Sequence, residues 1–420
     1  MIDLDYLRAH VDEVKQNCAN RKVKVDLEKF LDLDQQRVTL IQNIEQIRGE
    51  RNSIAEHMPK ANKEEKPGLA AKAKQLKEQV QQAEAELQTI ETDWRNIWMT
   101  IPNLTHPDTP IGGEDKNKIL HTWEKPTHFD FAPRTHLELG EKWDLMDFER
   151  AAEVSGQKFY YLKNEGALLE MALTRFAVDQ AMKAGFSLML TPDLARPSVL
   201  EGTGYQPRGP ETQIYSIEGH DLALIGTAEI TIGGYHQKTT FEAADLPKKY
   251  VGVSHCFRTE SGAYGKESRG LYRIHQFTKV ELFVFCTPEQ SEQFHTDLLA
   301  VEESIFQALE IPYQVIDNAS ADLGGPAYRK FDIEGWMPFK NAYGELTSTS
   351  NLTDFQARRL QIKYKEGKKS QFVHMLNGTA VAIPRTIIAI LENNQNQDGT
   401  IQIPAALQPY MNGKKVIGQV

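Results

Sequence analysis

Hydrophobic positions divide the 420-residue chain into two regimes. The apolar residues Leu69, Ala73, Leu76, Val80, Ala83, Leu87, Ile90, Trp94 and Ile97 recur at alternating steps of four and three. A seam held at that spacing is the mark of a coiled coil, since the stripe of a straight helix would drift away from it. Upstream, Leu33, Arg37, Leu40, Ile44, Ile47, Arg51, Ile54 and Met58 trace a rougher second seam. Arg37 and Arg51 interrupt it, but an arginine stem can lie along an apolar surface with its head in water. Between the seams stands PKANKEEKPG, bounded by Pro59 and Pro67, where continued helix is disfavoured and the chain can reverse. The pattern predicts an antiparallel two-helix arm after a helical lead-in over residues 1–26. At ~30 residues per helix and ~1.5 Å per residue the arm is about 45 Å long.

From about residue 126 the pattern changes. Short apolar runs such as DLALIG, KYVGVS, KVELFVF and HMLNGTAVAIP stand between helical stretches such as LLEMALTRFAVDQAMKAG. The runs cluster with hairpin-like turns and do not alternate regularly with helices, so the fold class is α+β with a mainly antiparallel sheet flanked by helices. Residues 101–125, rich in Pro and Gly and without a period, read as a linker. The expected organisation is an arm domain over 1–100, a linker over 101–125 and a second domain over 126–420.

Composition narrows the partners. Hydrophobic residues at 40% and charged residues at 25% exclude a fibrous or wholly disordered chain. No apolar run reaches the roughly 18 residues of a membrane span, and MIDLDYLRAHVDEVK lacks the pattern of a secretory or organellar leader. A cytoplasmic protein with no membrane partner is expected. Cys18, Cys256 and Cys286 form no CxxC, and no HExxH occurs, so neither a disulfide scaffold nor a metal held by side chains alone is expected. The net charge of −10 argues weakly against nucleic acid, although a local basic patch is what binds phosphates, and no DNA partner is expected. Residues 1–100, however, carry 16 Lys and Arg against 18 Asp and Glu, with Arg48, Arg51, Lys60, Lys63 and Lys66 gathered towards the reversal.

Common phosphate motifs fail. SGAYGKES departs from a P-loop, since Lys266 is followed by Glu267, and EGTGYQP lacks the third glycine of a dinucleotide loop. No GxSxG elbow is present. The stretch FRTESGAYGKESRGLYRIHQFTKVELF reads as strand, polar loop, strand. Arg258, Arg269 and Arg273 offer planar forks for phosphate, Phe277 offers a stacking surface, and Glu260 and Glu281 are strand carboxylates. Taken alone, this reads better as a surface hairpin of paired charges. ELTSTSN at 345–351 sets a carboxylate beside hydroxyls. In NGTAVAIPRTIIAILENNQ, Arg385 falls in the first turn of a helix, where backbone N–H groups favour anions.

In this order, TAE, FRTE, HQFTKVE, ELTSTSN, DFQARR, LNGT and PRTIIAILEN, with the arm and the IPNL linker, resemble the seryl-tRNA synthetases, of the class II aminoacyl-tRNA synthetases. The resemblance covers essentially the whole chain. It implies activation of serine with ATP and transfer to tRNA(Ser), with tRNA(Sec) left open as a second acceptor, by a homodimer. It implies that Arg258 and Arg385 are catalytic. Arg258, Thr259, Glu260, Phe277, Glu345, Leu346, Thr347, Ser348 and Arg385 would bind ATP, with Mg²⁺ on Glu345 and Ser348. Thr227, Ala228, Glu229, Arg258, Glu281 and Thr379 would bind serine, and Arg48, Arg51, Lys60, Lys63 and Lys66 the tRNA. GFSLMLTPDLARP stands where the family's first motif, a dimer element, would fall. Two departures touch the pocket: Pro384 where many relatives have Gly, and Gly378-Thr379-Ala380 where many have Gly-Ser-Gly. The competing readings are a carrier-protein ligase, which lacks the arm; another class II specificity, which KVE and LNGT disfavour; and an inactive scaffold, which the intact Arg258, Glu260, Phe277 and Arg385 disfavour.

Overall fold

The computed structural model describes residues 1–205, 213–260 and 270–418. Arg269 and the SGAYGKES segment therefore lie outside the described residues. Contacts divide the chain into two units, Met1–Pro102 and Asn103–Val420.

The first unit holds α1 (Leu4–Ala9), α2 (Val11–Asn20), α3 (Leu27–His57) and α4 (Glu65–Thr100). Every position of both heptad seams is buried or half-buried. Arg37 fits its seam by stacking its guanidinium 4.7 Å from the Trp94 ring centre and pairing its Nε with Glu91 at 3.2 Å. At the base, Phe30 stacks on Trp94, Trp98 packs tilted against Trp94, and Arg8 pairs with Asp34 at 2.8 Å. The reversal is shorter than the proline-bounded stretch. Pro67 lies inside the first turn of α4, where its missing N–H would have had no helical partner. Lys60, Lys63 and Lys66 are exposed there, Arg51 is half-buried in the seam, and Arg48 is paired with Glu84 across the helices at 2.6 Å.

The second unit is built on eight strands: β1 (Lys118–Trp123), β2 (Ser187–Leu190), β3 (Lys248–Phe257), β4 (Gln276–Cys286), β5 (Tyr313–Asp317), β6 (Arg329–Met337), β7 (Ala342–Asn351) and β8 (His374–Ala382). Their order is β1-β5-β6-β7-β8-β4-β3-β2, antiparallel throughout except for the parallel pair β2–β3. Central β4 is buried along almost its whole length, which is why its sequence runs apolar instead of alternating. The helices α5 (His136–Lys142), α6 (Asn164–Lys183), α7 (Ala228–Tyr235), α8 (Ser291–Ala308) and α9 (Ile383–Asn393) belong to this unit. Leu169, Leu173 and Phe176 of α6, Ile305 and Phe306 of α8, and Ile387 and Ile390 of α9 join Val280, Leu282 and Val284 of β4 in one core.

The stretch 103–125 differs from a free linker. The Asn103 amide donates to Pro326 O and Leu352 O at 2.9 and 2.8 Å, and Lys118–Trp123 pairs with β5 as the edge strand β1. KILHTW is exposed on both faces there, so no hydrophobic alternation betrays the strand. The opposite edge, β2, leaves Leu190 77% exposed, and Leu188 beside it in the strand is also exposed, as are Met171 and Met182 of α6. Among the described residues no helix is long and apolar enough to cross a membrane. The three cysteines are buried and unlinked.

Candidate active site

A cleft opens over β3, β4, β7 and β8, with the start of α9 at its rim; Arg258, Glu260, Tyr272, Phe277, Lys279, Glu345, Ser348, Thr379 and Arg385 are among its lining residues. Strand periodicity builds its floor. Phe277, Lys279 and Glu281 alternate along β4, so all three project from one face. Thr379 of β8 stands directly opposite Glu281.

Arg258 follows the last residue of β3. Its N–H donates to His275 O at 2.9 Å, its own O lies 2.9 Å from His275 Nδ1, and its guanidinium sits 5.3 Å from the Phe277 ring centre. A fork and an aromatic face thus share one wall, a pairing suited to a phosphate joined to a planar base. Glu260 takes a left-handed backbone, φ 49°, and Arg273 Nη1 holds its carboxylate at 3.2 Å. Thr259, between them, uses its N–H on Gln213 O at 3.1 Å and is not part of the cleft lining.

On β7 the register shifts between Ile333 and Glu334 of the partner strand. Glu345 pairs with Glu334 and Ser348 with Asp332, two residues apart, so the bulge brings Glu345 and Ser348 onto the same face despite their spacing of three. Leu346 packs in the core and the Thr347 hydroxyl donates to Glu302 at 3.0 Å, so these two offer a nucleotide only backbone. Burial raises the Glu345 carboxyl, but Arg385 and Lys330 outweigh it and hold the group below the usual carboxylate range. Arg385 Nη1 reaches Glu345 Oε2 at 3.2 Å, and its guanidinium stacks 4.7 Å from the Tyr272 ring centre. Pro384 occupies the first turn of α9, where the helix tolerates it.

The inner end of the cleft is a buried polar cluster. Glu281 pairs with Lys279, and the Thr379 hydroxyl lies 3.4 Å from both Glu281 Oε2 and Lys279 Nζ. The hydroxyl that replaces the usual serine therefore stays in the network. Burial pushes Glu281 up to about 7; Lys279 opposes the rise, Glu229 adds to it and Arg258 opposes it. Glu229 is likewise raised by burial. Gln356 Nε2 at 2.7 Å and Tyr205 OH at 3.2 Å donate to its two oxygens. Thr227 caps α7, its hydroxyl accepting the Glu229 N–H at 3.2 Å, while Ala228 is packed in the core.

The sequence reading assigned no role to Lys279, Tyr205, Gln356 or Tyr272. Lys279 and Gln356 lie within KVE and DFQARR, but nothing local to Tyr205 or Tyr272 marks them. Among the described residues no group of three or more His, Cys, Asp or Glu side chains could hold a metal. Ionised Glu345 and the Ser348 hydroxyl on one face supply two hard oxygen donors, a set that fits Mg²⁺ carried in with nucleotide phosphates.

A class II aminoacyl-tRNA synthetase core is what this sheet and cleft define, and the description "tRNA synthetase class II core domain (G, H, P, S and T)" matches residues 213–394. "Seryl-tRNA synthetase N-terminal domain" matches residues 1–105. A serine–tRNA ligase of Rubrobacter xylanophilus is 48% identical over 421 residues, covering 100% of this chain and 99% of its own. One from Dictyoglomus thermophilum is 49% identical over 417 residues, 98% of both chains. The crystal structure of seryl-tRNA synthetase from Pyrococcus horikoshii complexed with ATP superposes with a TM-score of 0.91 at 38% identity, covering 100% of each chain. The chain belongs to the seryl-tRNA synthetase family.

Proposed function

We propose how the residues of this cleft divide the work of the family's reaction, the activation of serine with ATP and its transfer to tRNA(Ser). The observation that carries the proposal is the continuity from Phe277 through Arg258 to the buried Glu281–Lys279–Thr379 cluster. Adenine stacks on Phe277, with Glu260 at its edge. Arg258 holds the α-phosphate and the serine carboxylate together, and Arg385 holds the γ-phosphate. The serine hydroxyl meets Glu281 and Thr379, while Glu229 and Thr227 close the amino-acid end. The serine carboxylate then attacks the α-phosphorus and pyrophosphate leaves, giving seryl-adenylate; the terminal ribose hydroxyl of the tRNA attacks the seryl carbonyl and AMP leaves. Neither step needs a protein nucleophile; positioning and charge stabilisation carry both. Mg²⁺ on Glu345 and Ser348 would neutralise phosphate charge.

The assignment of Glu281 has a pH signature. A carboxyl raised to about 7 by burial is protonated below that pH and ionised above it, and only the carboxylate is a full acceptor for the serine hydroxyl. KM for serine is expected to fall as pH rises from 6 to 8, and Glu281→Gln to flatten that step while leaving KM for ATP within about twofold. Loss of ATP affinity with the serine step intact would move Glu281 to the nucleotide side. For stability the sign is opposite. The folded protein holds this proton between the ordinary carboxylate range and about 7, so the contribution of Glu281 to stability declines as pH rises through that window.

We place tRNA(Ser) on the arm, through Lys60, Lys63 and Lys66 at the reversal and Arg48 and Arg51 on α3, and catalysis within 126–420. We also propose a cytoplasmic homodimer joined along β2 and α6. Exposed apolar side chains beside an unpaired strand edge are a costly surface for a monomer. Leu188→Asp combined with Leu190→Asp is expected to give a folded monomer by sedimentation, and an unchanged dimer would place the interface elsewhere.

A further inference from the structure

The first turn of α5 reaches the catalytic cleft through a route that no motif marks. His136 is buried, and the nearby Glu392, seven residues after Arg385 on α9, is 3% exposed. One oxygen of Glu392 accepts both the His136 N–H, at 3.1 Å, and His136 Nδ1, at 3.0 Å. The other accepts the Phe339 N–H at 3.3 Å. On the far side of the ring, Leu271 N donates to His136 Nε2 at 3.4 Å. The ring proton is therefore on Nδ1, donated to Glu392, and Nε2 is left as the acceptor. The approach is tight. Gly270 takes φ +75°, and a Cβ there would stand 2.2 Å from Nε2. Tyr272, next after Leu271, carries Arg385 4.7 Å from its ring centre on one contact and Lys340 Nζ 3.7 Å away on another.

These contacts close a ring: Glu392 to His136, His136 to Leu271, then Tyr272 to Arg385, and back along two turns of one helix. We propose that His136, by holding the Leu271 amide, is a positioning residue that sets Tyr272 against Arg385 and so aims that guanidinium at the ATP triphosphate. The proposal rests on the assignment of Arg385 to the triphosphate. A flexible arginine needs a fixed surface to be preorganised, and an aromatic ring held by its own backbone supplies one without competing for the hydrogen bonds meant for phosphate. Glu392 in turn fixes the tautomer of His136, as an outer carboxylate does for a ligating imidazole.

The test uses the full-length chain, with pyrophosphate exchange measured against ATP and serine separately. An asparagine amide reaches the Nδ1 position and can keep the Glu392 bond, but it is too short for Leu271. A glutamine reaches the Nε2 position. His136→Asn is expected to raise KM for ATP about tenfold, the scale of a small misplacement of a binding group, with KM for serine within about twofold. His136→Gln should recover most of the loss. Gly270→Ala, which crowds Nε2 while leaving the His136–Glu392 bond intact, should reproduce the ATP defect, and it decides the matter if either His136 variant does not fold. Equal behaviour of Asn and wild type, better recovery by Asn than by Gln, parallel rises in both KM values, or a normal KM for ATP in a folded Gly270→Ala protein would overturn the proposal. Arg385→Ala, run alongside, separates the two levels. If it leaves exchange unchanged, the Arg385 assignment fails; if it slows exchange while His136 and Gly270 variants do not, only the relay fails.

Discussion

Arg258→Ala is expected to lower serine-dependent pyrophosphate exchange by about a hundred- to a thousandfold, the range seen when one preorganised donor is removed from a developing negative charge. The geometry explains the size. Arg258 is bracketed by His275 through two contacts to its backbone; among the described residues its Nε and Nη2 reach only Gly226 O, at 3.4 Å, and its head faces Phe277. Its place is thus fixed, and among the described residues most of its donors are left for a ligand. Both kcat and the KM values should worsen, because the same fork is assigned to the α-phosphate and to the serine carboxylate. Arg258→Lys should recover little, since an ammonium cannot hold two oxygens in one plane. A loss below about fivefold in a folded Arg258→Ala protein would remove this residue from the centre of the reaction.

The second large effect concerns the arm. Replacing residues 45–85 with a short glycine-rich turn removes Arg48, Arg51, Lys60, Lys63 and Lys66 together. It keeps the base of the helical pair, where Arg37 meets Glu91 and Phe30 stacks on Trp94. The seam buries its apolar residues helix against helix, so the shortened pair retains a closed base. Exchange should stay within roughly tenfold of the intact protein, about 1.4 kcal/mol. Aminoacylation of tRNA(Ser) should fall by at least about a hundredfold at moderate salt, and what remains should depend less steeply on salt, since fewer counterions are released. Arg48 is paired with Glu84 and Arg51 is half-buried. Single charge reversals at Lys60, Lys63 and Lys66 are therefore expected to weaken charging more than those at Arg48 and Arg51. Equal charging by the shortened and intact proteins would show that the arm is not the tRNA reader.

What the sequence made legible follows from physical periodicity. The heptad could be read because two long helices bury one stripe against each other and expose the rest. Arg37 looked like a flaw because spacing alone does not show Trp94 lying across the seam beneath it. β1 was hidden because KILHTW lies at an edge with both faces exposed, so no alternation was imposed on it. In the site, alternation alone correctly groups Phe277, Lys279 and Glu281, but it would set Glu345 and Ser348 on opposite faces. The β-bulge that unites them is a property of pairing with β6 and leaves no local mark. Glu281 could be named from its motif. Its raised pKa could not, because that depends on burial and on the charges of Glu229 and Arg258 brought in from other elements, beside that of its strand neighbour Lys279. His136 lies more than a hundred residues before the Leu271 turn and the α9 helix that it joins, in a stretch whose only sequence signal is the start of a short helix.

The central claim is that the polar cluster of Glu281, Lys279 and Thr379 makes this cleft a serine site. The most direct test is amino-acid-dependent ATP–pyrophosphate exchange with serine, alanine, glycine and threonine at equal concentration. Alanine leaves the buried polar groups of the pocket unpaired, and a site built to hydrogen-bond a hydroxyl rejects such an analogue by about 10⁴-fold or more. Exchange should depend on serine with alanine and glycine near background, and Glu281→Ala should narrow the gap between serine and alanine. Comparable exchange with serine and alanine in the intact protein would contradict the account.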